Sequence, residues 1–170
     1  MPEILFEETL RFRQPQLWIP LLALFAGTLG ALAYFPAKNP GGFTLSNLLA
    51  PTICLVVFGL VAALLYASKL ETRVSRSGLH IRFFPLALSF HDFSWKDISG
   101  MRAAAVRPLR DFGGWGLRYG RKGKAYIVTG DTCVEFELAD GSRLYVNTLE
   151  AEKFLAALTR SSEAASQKLP

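Results

Sequence analysis

Residues whose types could support catalysis are few and scattered along the chain. His80 and His91 each lie among strand-like residues, and no spacing singles out a serine and a carboxylate to complete a Ser/His/Asp arrangement. No carboxylates pair in a motif, and no cluster of His and Cys has metal-ligand spacing. We therefore expect both histidines to be ordinary surface or core residues, and we expect the protein not to be an enzyme.

Two glycine-rich stretches come close to nucleotide-binding motifs without matching them. Gly114–Gly120 misses the dinucleotide fingerprint by one residue, and it precedes a strand instead of a helix. Gly123-Lys124-Ala125 lacks the earlier glycine and the Ser/Thr of a phosphate-binding loop. Cys54 lies in an apolar run and Cys133 in a polar region, so no disulfide is expected. The sequence predicts no cofactor and no metal.

The strongest charge feature is a group of cations that we call the basic cluster: Arg107, Arg110, Arg118, Arg121, Lys122 and Lys124. Only Asp111 opposes it, and aromatic residues are interleaved with the cations. On a domain tethered to a membrane, each such cation contributes about 1 kcal/mol of attraction to anionic lipid headgroups. An acidic protein partner and ordinary solvated charges are the alternatives. Nucleic acid is not expected, because a net charge of +5 is modest and no nucleic-acid motif is present.

Two uncharged runs near the N-terminus are long enough to cross a bilayer. Residues 17–35 and 48–67 carry no charge, and nineteen helical residues extend roughly 28 Å, close to the hydrocarbon thickness of a membrane. Trp18 and Tyr34 stand at opposite ends of the first run, where aromatic side chains favour the interface. We predict a transmembrane hairpin over residues 17–67, with a connector at 36–47.

The distribution of basic residues predicts the orientation of this hairpin. One cation, Lys38, lies between the spans, whereas six flank them on the other side: Arg11, Arg13, Lys69, Arg73, Arg76 and Arg82. The positive-inside rule then places both termini in the cytoplasm and the protein in the inner (plasma) membrane. Alternatively, Ala31-Leu32-Ala33 could end a signal peptide, and the second span would keep its orientation.

The spans themselves suggest packing more than transport. Neither contains an ionisable residue, which argues against a channel or a carrier. Small residues recur at every fourth position in both spans, a spacing that permits close helix approach. These residues are Ala23, Gly27 and Ala31 in the first span, and Gly59, Ala63 and Ala67 in the second. They predict packing of one span on the other, with a homodimer contact as the alternative.

Beyond the second span the pattern changes to the period of two that is typical of strands. We predict a mainly β domain over residues 69–160, preceded by a cytoplasmic N-terminal arm at 1–16. Turn signals at 75–78, 120–123 and 140–141 separate the strands, and Asp140-Gly141 is a strong hairpin signal. The predicted strands are 72–74, 79–84, 86–90, 101–106, 115–119, 124–128, 134–138 and 143–146, with Trp95 and Ile98 in the core.

A helix is predicted to close this domain. Asn147-Thr148-Leu149-Glu150 fits a helix N-terminus, with Asn147 as the cap and an acid three residues later. Ala151, Phe154, Leu155 and Leu158 follow the helical repeat and give one apolar face. The remaining residues, 161–170, show no such pattern and are expected to be a disordered tail.

About seven strands followed by one helix is the order of a pleckstrin-homology (PH) barrel, in which the helix plugs an open end. The stretch Arg107–Gly130, the following VEFELADGSRLYV and the RFRQP sequence before the first span resemble a group of uncharacterised bacterial two-span membrane proteins with a PH-like cytoplasmic domain. The resemblance covers nearly the whole chain. It implies the fold, a membrane hairpin plus a mainly β PH-like barrel capped by a C-terminal helix, and a membrane location, but no activity.

These observations together predict a membrane-anchored module for interaction or scaffolding. The alternative is an accessory subunit of an envelope or transport complex, in which the spans make the essential contacts. The basic cluster is the predicted contact site in the first case.

Overall fold

The computed structural model describes residues 4–38, 44–120 and 123–166. The chain divides into two compact units. One unit comprises Met1–Phe12 together with Ser68–Pro170, and the other comprises Arg13–Ala67. The N-terminal segment therefore belongs to the same unit as the C-terminal hundred residues, although the sequence predicted a separate arm at 1–16.

The smaller unit contains two helices, α1 (Pro15–Lys38) and α2 (Leu45–Ala67). Each includes a 20-residue stretch that is long and apolar enough to cross a membrane. These stretches are Pro15–Tyr34, with a mean hydropathy of 1.8, and Leu48–Ala67, with a mean hydropathy of 2.7. They agree with the predicted spans at 17–35 and 48–67. Both cysteines, Cys54 and Cys133, are free.

The helix face that α2 turns toward α1 differs from the predicted one. The half-buried residues of α2 recur at alternating steps of three and four, the spacing of a packed helix pair. They are Leu48, Pro51, Leu55, Phe58, Ala62 and Leu65. Gly27 and Gly59 are exposed, and a Cβ atom added to either would meet nothing within 4 Å. Of the predicted small-residue stripes, only Ala31 is half-buried, so the contact of the two helices uses mostly larger side chains.

The larger unit begins with a four-stranded antiparallel sheet in the order β1-β2-β3-β4. Its strands are β1 (Ile4–Arg11), β2 (Lys69–Ser75), β3 (Gly78–Phe84) and β4 (His91–Ser94). β1 comes from the predicted arm. Phe6 and Leu10 lie on its inner side, and Glu7 and Thr9 on the outer side, so it has the alternation of a half-buried strand.

A five-stranded sheet follows, in the order β5-β8-β9-β7-β6. Its strands are β5 (Ile98–Ala105), β6 (Gly116–Gly120), β7 (Gly123–Ile127), β8 (Thr132–Leu138) and β9 (Arg143–Asn147). A short helix, α3 (Pro108–Phe112), lies between β5 and β6. The predicted turns at 75–78 and 140–141 are confirmed: Ser75 pairs with Gly78, and the Gly141 N–H donates to the Leu138 carbonyl at 2.9 Å.

Among the described residues nine strands form two separate sheets, and these do not close into the predicted barrel of about seven strands. A 3-10 turn at Trp95–Asp97 separates β4 from β5, and the two sheets remain separate. The predicted strand at 86–90 is wrong, because these residues form a loop and the next strand begins at His91. Trp95 and Ile98 are half-buried and lie outside the core.

Helix α4 (Ala151–Ser166) fills the space between the sheets. Phe154 and Leu158 are fully buried, and the Phe154 ring lies 5.0 Å from that of Phe6 and 6.1 Å from that of Phe136. The predicted helix is confirmed, but it extends beyond residue 160. Ser161 is fully buried and its Oγ donates to the Ser75 carbonyl at 2.7 Å, so residues 161–166 are not a disordered tail. Residues 167–170 lie outside the described residues.

Asn147 has a different role from the predicted helix cap. It ends β9, is fully buried, and joins three strand ends through its amide. Its Oδ1 accepts from the N–H groups of Val128 and Thr129 at 3.0 and 2.7 Å, and its Nδ2 donates to the Thr132 carbonyl at 2.8 Å. The side chain therefore hydrogen-bonds backbone groups at the ends of neighbouring strands.

Candidate functional site

The N-terminal half of the basic cluster is held on α3. Pro108 at the start of the helix supplies a pre-set backbone angle, and the Asp111 carboxylate accepts the Arg107 backbone N–H at 2.9 Å. Gly113, at φ 72°, ends the helix in the left-handed conformation that favours glycine. Arg107 and Arg110 are both exposed. The single acid of the segment is thus used to start the helix.

α3 is fixed to the outer face of the second sheet by a small core of its own. Phe112 is buried there, and its ring lies 5.2 Å from the ring of Tyr145. The other buried members of this core are Val106, Ala125, Ile127 and Cys133. A Cβ atom at Gly120 would approach Phe112 to 3.0 Å, so glycine permits the close contact between β6 and α3. The cations on α3 therefore have a rigid support.

The β6–β7 hairpin carries the C-terminal half of the cluster. The Arg118 Nε donates to the Trp115 carbonyl at 2.9 Å. Lys124 is half-buried, with its Nζ 5.0 Å from the centre of the Tyr126 ring and 5.6 Å from that of Tyr119. Burial lowers the pKa of Lys124, but the neighbouring Tyr126 and Tyr119 groups raise it more. The ammonium therefore stays charged at neutral pH. Arg121 and Lys122 lie outside the described residues.

Large apolar side chains are exposed beside these cations. Tyr119 is 73% exposed on the hairpin, and Leu109 is 67% exposed on α3. Cations mixed with exposed aromatic and aliphatic side chains are typical of surfaces that meet a membrane interface.

A row of aromatic rings links this hairpin to one end of the first sheet. The Tyr126 ring lies 6.4 Å from that of Phe83, and the Phe83 ring lies 6.1 Å from that of Phe12. Phe83 pairs with Leu70, next to the position where Arg11, Lys69 and Phe84 are neighbours across three strands. We call this position the Lys69 end of the first sheet. Lys124, whose ammonium lies over the Tyr126 ring, is thus linked to that end.

The Lys69 end is organised around a buried carboxylate. Glu71 is 5% exposed, and its two oxygens contact the Lys69 ammonium, at 2.5 Å, and the Arg82 guanidinium. Burial alone would raise the pKa of Glu71, but hydrogen bonds from Lys69 and Arg82 outweigh it and the pKa is lowered. The Lys69 ammonium also lies 5.9 Å from the Phe84 ring. This arrangement fixes two cations at the end of the sheet.

Sequence reasoning missed a Ser-His-Asp arrangement at the other end of the same sheet. The Ser75 Oγ lies 2.8 Å from the His80 Nε2, and the His80 Nδ1 lies 2.5 Å from the Asp92 Oδ1. They line a cavity of about 250 Å³ together with Ile4, Arg73 and Phe90. His80 and Asp92 meet because they are paired residues on β3 and β4. The sequence alone does not show which residues pair across two strands, so it could not have indicated this arrangement.

The enclosure of Ser75 favours a structural role for this network. Ser75 is 1% exposed, and its Oγ also lies 2.7 Å from the Ser77 Oγ. The hydrogen bonds of Ser75, His80 and Asp92 tie β2, β3 and β4 together. His91 is exposed on β4. Within the described residues, no group of three or more His, Cys, Asp or Glu side chains could hold a metal ion.

A second group of charged residues, around Glu135 on the second sheet, has its positive charges neutralised by carboxylates. Glu135 is 6% exposed and contacts Arg102 at 2.7 Å and Arg143 at 3.6 Å. These residues border an open, polar cavity of about 280 Å³ on the second sheet. Since Glu135 and Glu137 offset the two arginines, the surface has no surplus charge, unlike the basic cluster.

Comparison of the chain with protein-family models, with curated proteins and with solved structures gave no match. The resemblance to two-span proteins with a PH-like domain therefore stays a prediction.

Glu71→Gln tests the carboxylate at the Lys69 end. The change keeps the size of the side chain but removes the charge that holds Lys69 and Arg82. We expect the free energy of unfolding to fall by about 1–3 kcal/mol at pH 7, measured by urea unfolding of the detergent-solubilised chain. A lowered folded pKa stabilises the protein above the unfolded value of about 4.3, and this stabilisation is lost as the pH falls through the folded pKa. The wild-type advantage should therefore shrink in acid.

The matched control is Glu163→Gln, an exposed carboxylate on α4. It should change the free energy of unfolding little. Equal stability of the Glu71→Gln variant and the wild type at pH 7 would contradict the role given to Glu71.

Proposed function

We propose that this protein is a membrane-anchored, non-enzymatic interaction module whose basic cluster contacts the anionic headgroups of the membrane that holds its spans. The observation that supports this proposal most is the position of Tyr119 and Lys124 near the Lys69 end. Both connections to the apolar helices leave from that end: β1 ends four residues before α1 begins, and β2 begins two residues after α2 ends.

The electrostatic contribution of such a contact is substantial only near the bilayer. Each cation close to an anionic surface contributes about 1 kcal/mol, and the attraction fades over a Debye length of about 8 Å at physiological salt. Arg107, Arg110 and Arg118 are exposed, and Lys124 keeps its charge. Tethering by the spans removes most of the entropic cost of association, so a weak patch suffices.

The proposed location is the inner (plasma) membrane, with both termini in the cytoplasm. The six basic residues that flank the spans, against Lys38 between them, support this orientation. Anionic lipids are abundant on cytoplasmic leaflets, so the orientation also agrees with the proposed contact. A PH-like classification of the larger unit is part of the proposal, supported by the sequence of strands followed by one helix.

Labelling of single cysteines on intact cells tests the orientation. In a Cys54→Ser background, an impermeant maleimide should modify Lys38→Cys and spare Arg160→Cys, because only the first faces outward. Residue 160 serves better than the buried Ser161 as a reporter. Burial raises the pKa of the remaining Cys133 to about 12, so its thiolate is scarce and it should not react. Modification of position 160 without position 38 would contradict the proposed topology.

Replacement of exposed cations tests the lipid contact. The full chain would carry a fluorophore at Leu109→Cys on α3, in the same Cys54→Ser background, in nanodiscs with a headgroup nitroxide. We expect strong quenching with phosphatidylglycerol present and weaker quenching in pure phosphatidylcholine or in high salt. Arg107→Gln, Arg110→Gln and Arg118→Gln together should remove about 3 kcal/mol of attraction and reduce the quenching to the neutral-lipid level.

The matched control is Arg102→Gln with Arg143→Gln, which removes two cations from the neutralised surface around Glu135. It should leave the quenching unchanged. If the quenching depends neither on the lipid charge nor on the triple substitution, the cluster does not contact lipid. The cluster would then bind an acidic protein partner or form a solvated face.

A further inference from the structure

The loop that follows β3 exposes two large apolar side chains. In this loop, which we call the 85–90 loop, Leu86 is 68% exposed and Leu88 is 76% exposed. None of its residues, Pro85-Leu86-Ala87-Leu88-Ser89-Phe90, carries a charge. Apolar side chains that are exposed together are typical of protein or membrane contact sites.

Both ends of the loop are fixed, which keeps the two leucines projecting. The Phe83 carbonyl accepts the Ala87 N–H at 2.8 Å and forms a tight turn. At the other end, the Phe90 ring lies 4.9 Å from the Arg73 guanidinium and 4.7 Å from that of Arg82. Because contacts at both ends hold the loop against the sheet, its conformation is defined, and Leu86 and Leu88 are exposed in that conformation.

The loop starts at the Lys69 end of the first sheet. Phe84, the last residue of β3, pairs with Lys69, and Lys69 pairs with Arg11. Lys69 follows Ala67, the last residue of the second apolar helix, by two residues, which span at most about 7 Å. The covalent chain alone therefore keeps the base of the loop close to the point where α2 ends.

Cations that lie over aromatic rings surround the base of the loop. Lys69 lies over the Phe84 ring at 5.9 Å, and Arg82 is half-buried beside Phe90. Cations that stack on aromatic rings next to protruding aliphatic side chains match an interfacial anchor, in which the apolar groups enter the acyl boundary and the cations remain among the headgroups.

We propose that Leu86 and Leu88 insert into the leaflet at which the apolar helices end, so that the 85–90 loop is a third membrane attachment of this protein. The inference rests on the proposed membrane anchoring. The occupant of this surface is lipid, and insertion holds the Lys69 end of the first sheet against the bilayer.

Depth-dependent quenching tests the insertion. The full chain, in a Cys54→Ser background and in nanodiscs of phosphatidylcholine and phosphatidylglycerol, would carry an NBD fluorophore at Leu88→Cys. Lipids with a nitroxide on the acyl chain should quench it at least about twofold more than NBD at Ser77→Cys. Ser77 is exposed at the far end of the same sheet, roughly 20 Å from Lys69 along β2, and is the matched control.

A third probe separates the failure of this inference from the failure of the membrane anchoring. NBD at Val57→Cys reports on the second apolar helix, where Val57 is exposed. Quenching at 57 with equal, weak quenching at 88 and 77 would overturn the loop insertion alone. Absence of quenching at 57 would overturn the anchoring itself. A blue-shifted but unquenched probe at 88 would mean that protein, such as a second copy of this chain, covers the loop, and would also overturn the proposal.

Discussion

The pairing of β1 with β2 is the constraint on which the rest of the structure depends. β1 leads into the first apolar helix and β2 follows the second, and their register sets Arg11 opposite Lys69. Both connections to the helical unit therefore leave the same end of one sheet. Both connectors are short, because β1 ends four residues before α1 begins and β2 begins two residues after α2 ends.

The two ends of the first sheet differ in a way that fits this constraint. At the Lys69 end, Lys69 and Arg82 hold a buried carboxylate, Glu71, and Lys69 also lies over the Phe84 ring. At the far end, Ser75 joins its own turn to His80 and, through its carbonyl, to Ser161 of α4. The first end is suited to a charged apolar interface, and the second closes the core. Lys124 of the basic cluster is linked to the first end through the rings of Tyr126 and Phe83.

The sequence predicted the elements better than their partners. The uncharged runs, the turn at Ser75–Gly78 and the apolar face of Phe154 and Leu158 are local signals, and each appears in the structure. The apolar Phe6 and Leu10, which alternate with polar residues, indicate a strand at β1. The segment was predicted to be an arm because it is charged and directly precedes an apolar span. Asn147, the Ser75–His80–Asp92 network and the open edge between β4 and β5 depend on long-range register. Periodicity within one segment carries no information about such pairing.

We propose that the Lys69 end of the first sheet faces the bilayer. Photo-cross-linking in native membranes tests this proposal, with p-benzoylphenylalanine placed at Tyr119 or at Ser77, which are both exposed. We expect phospholipid adducts, detected by mass spectrometry, at position 119 and few at position 77. Equal yields at the two positions, or adducts at position 77 alone, would contradict it.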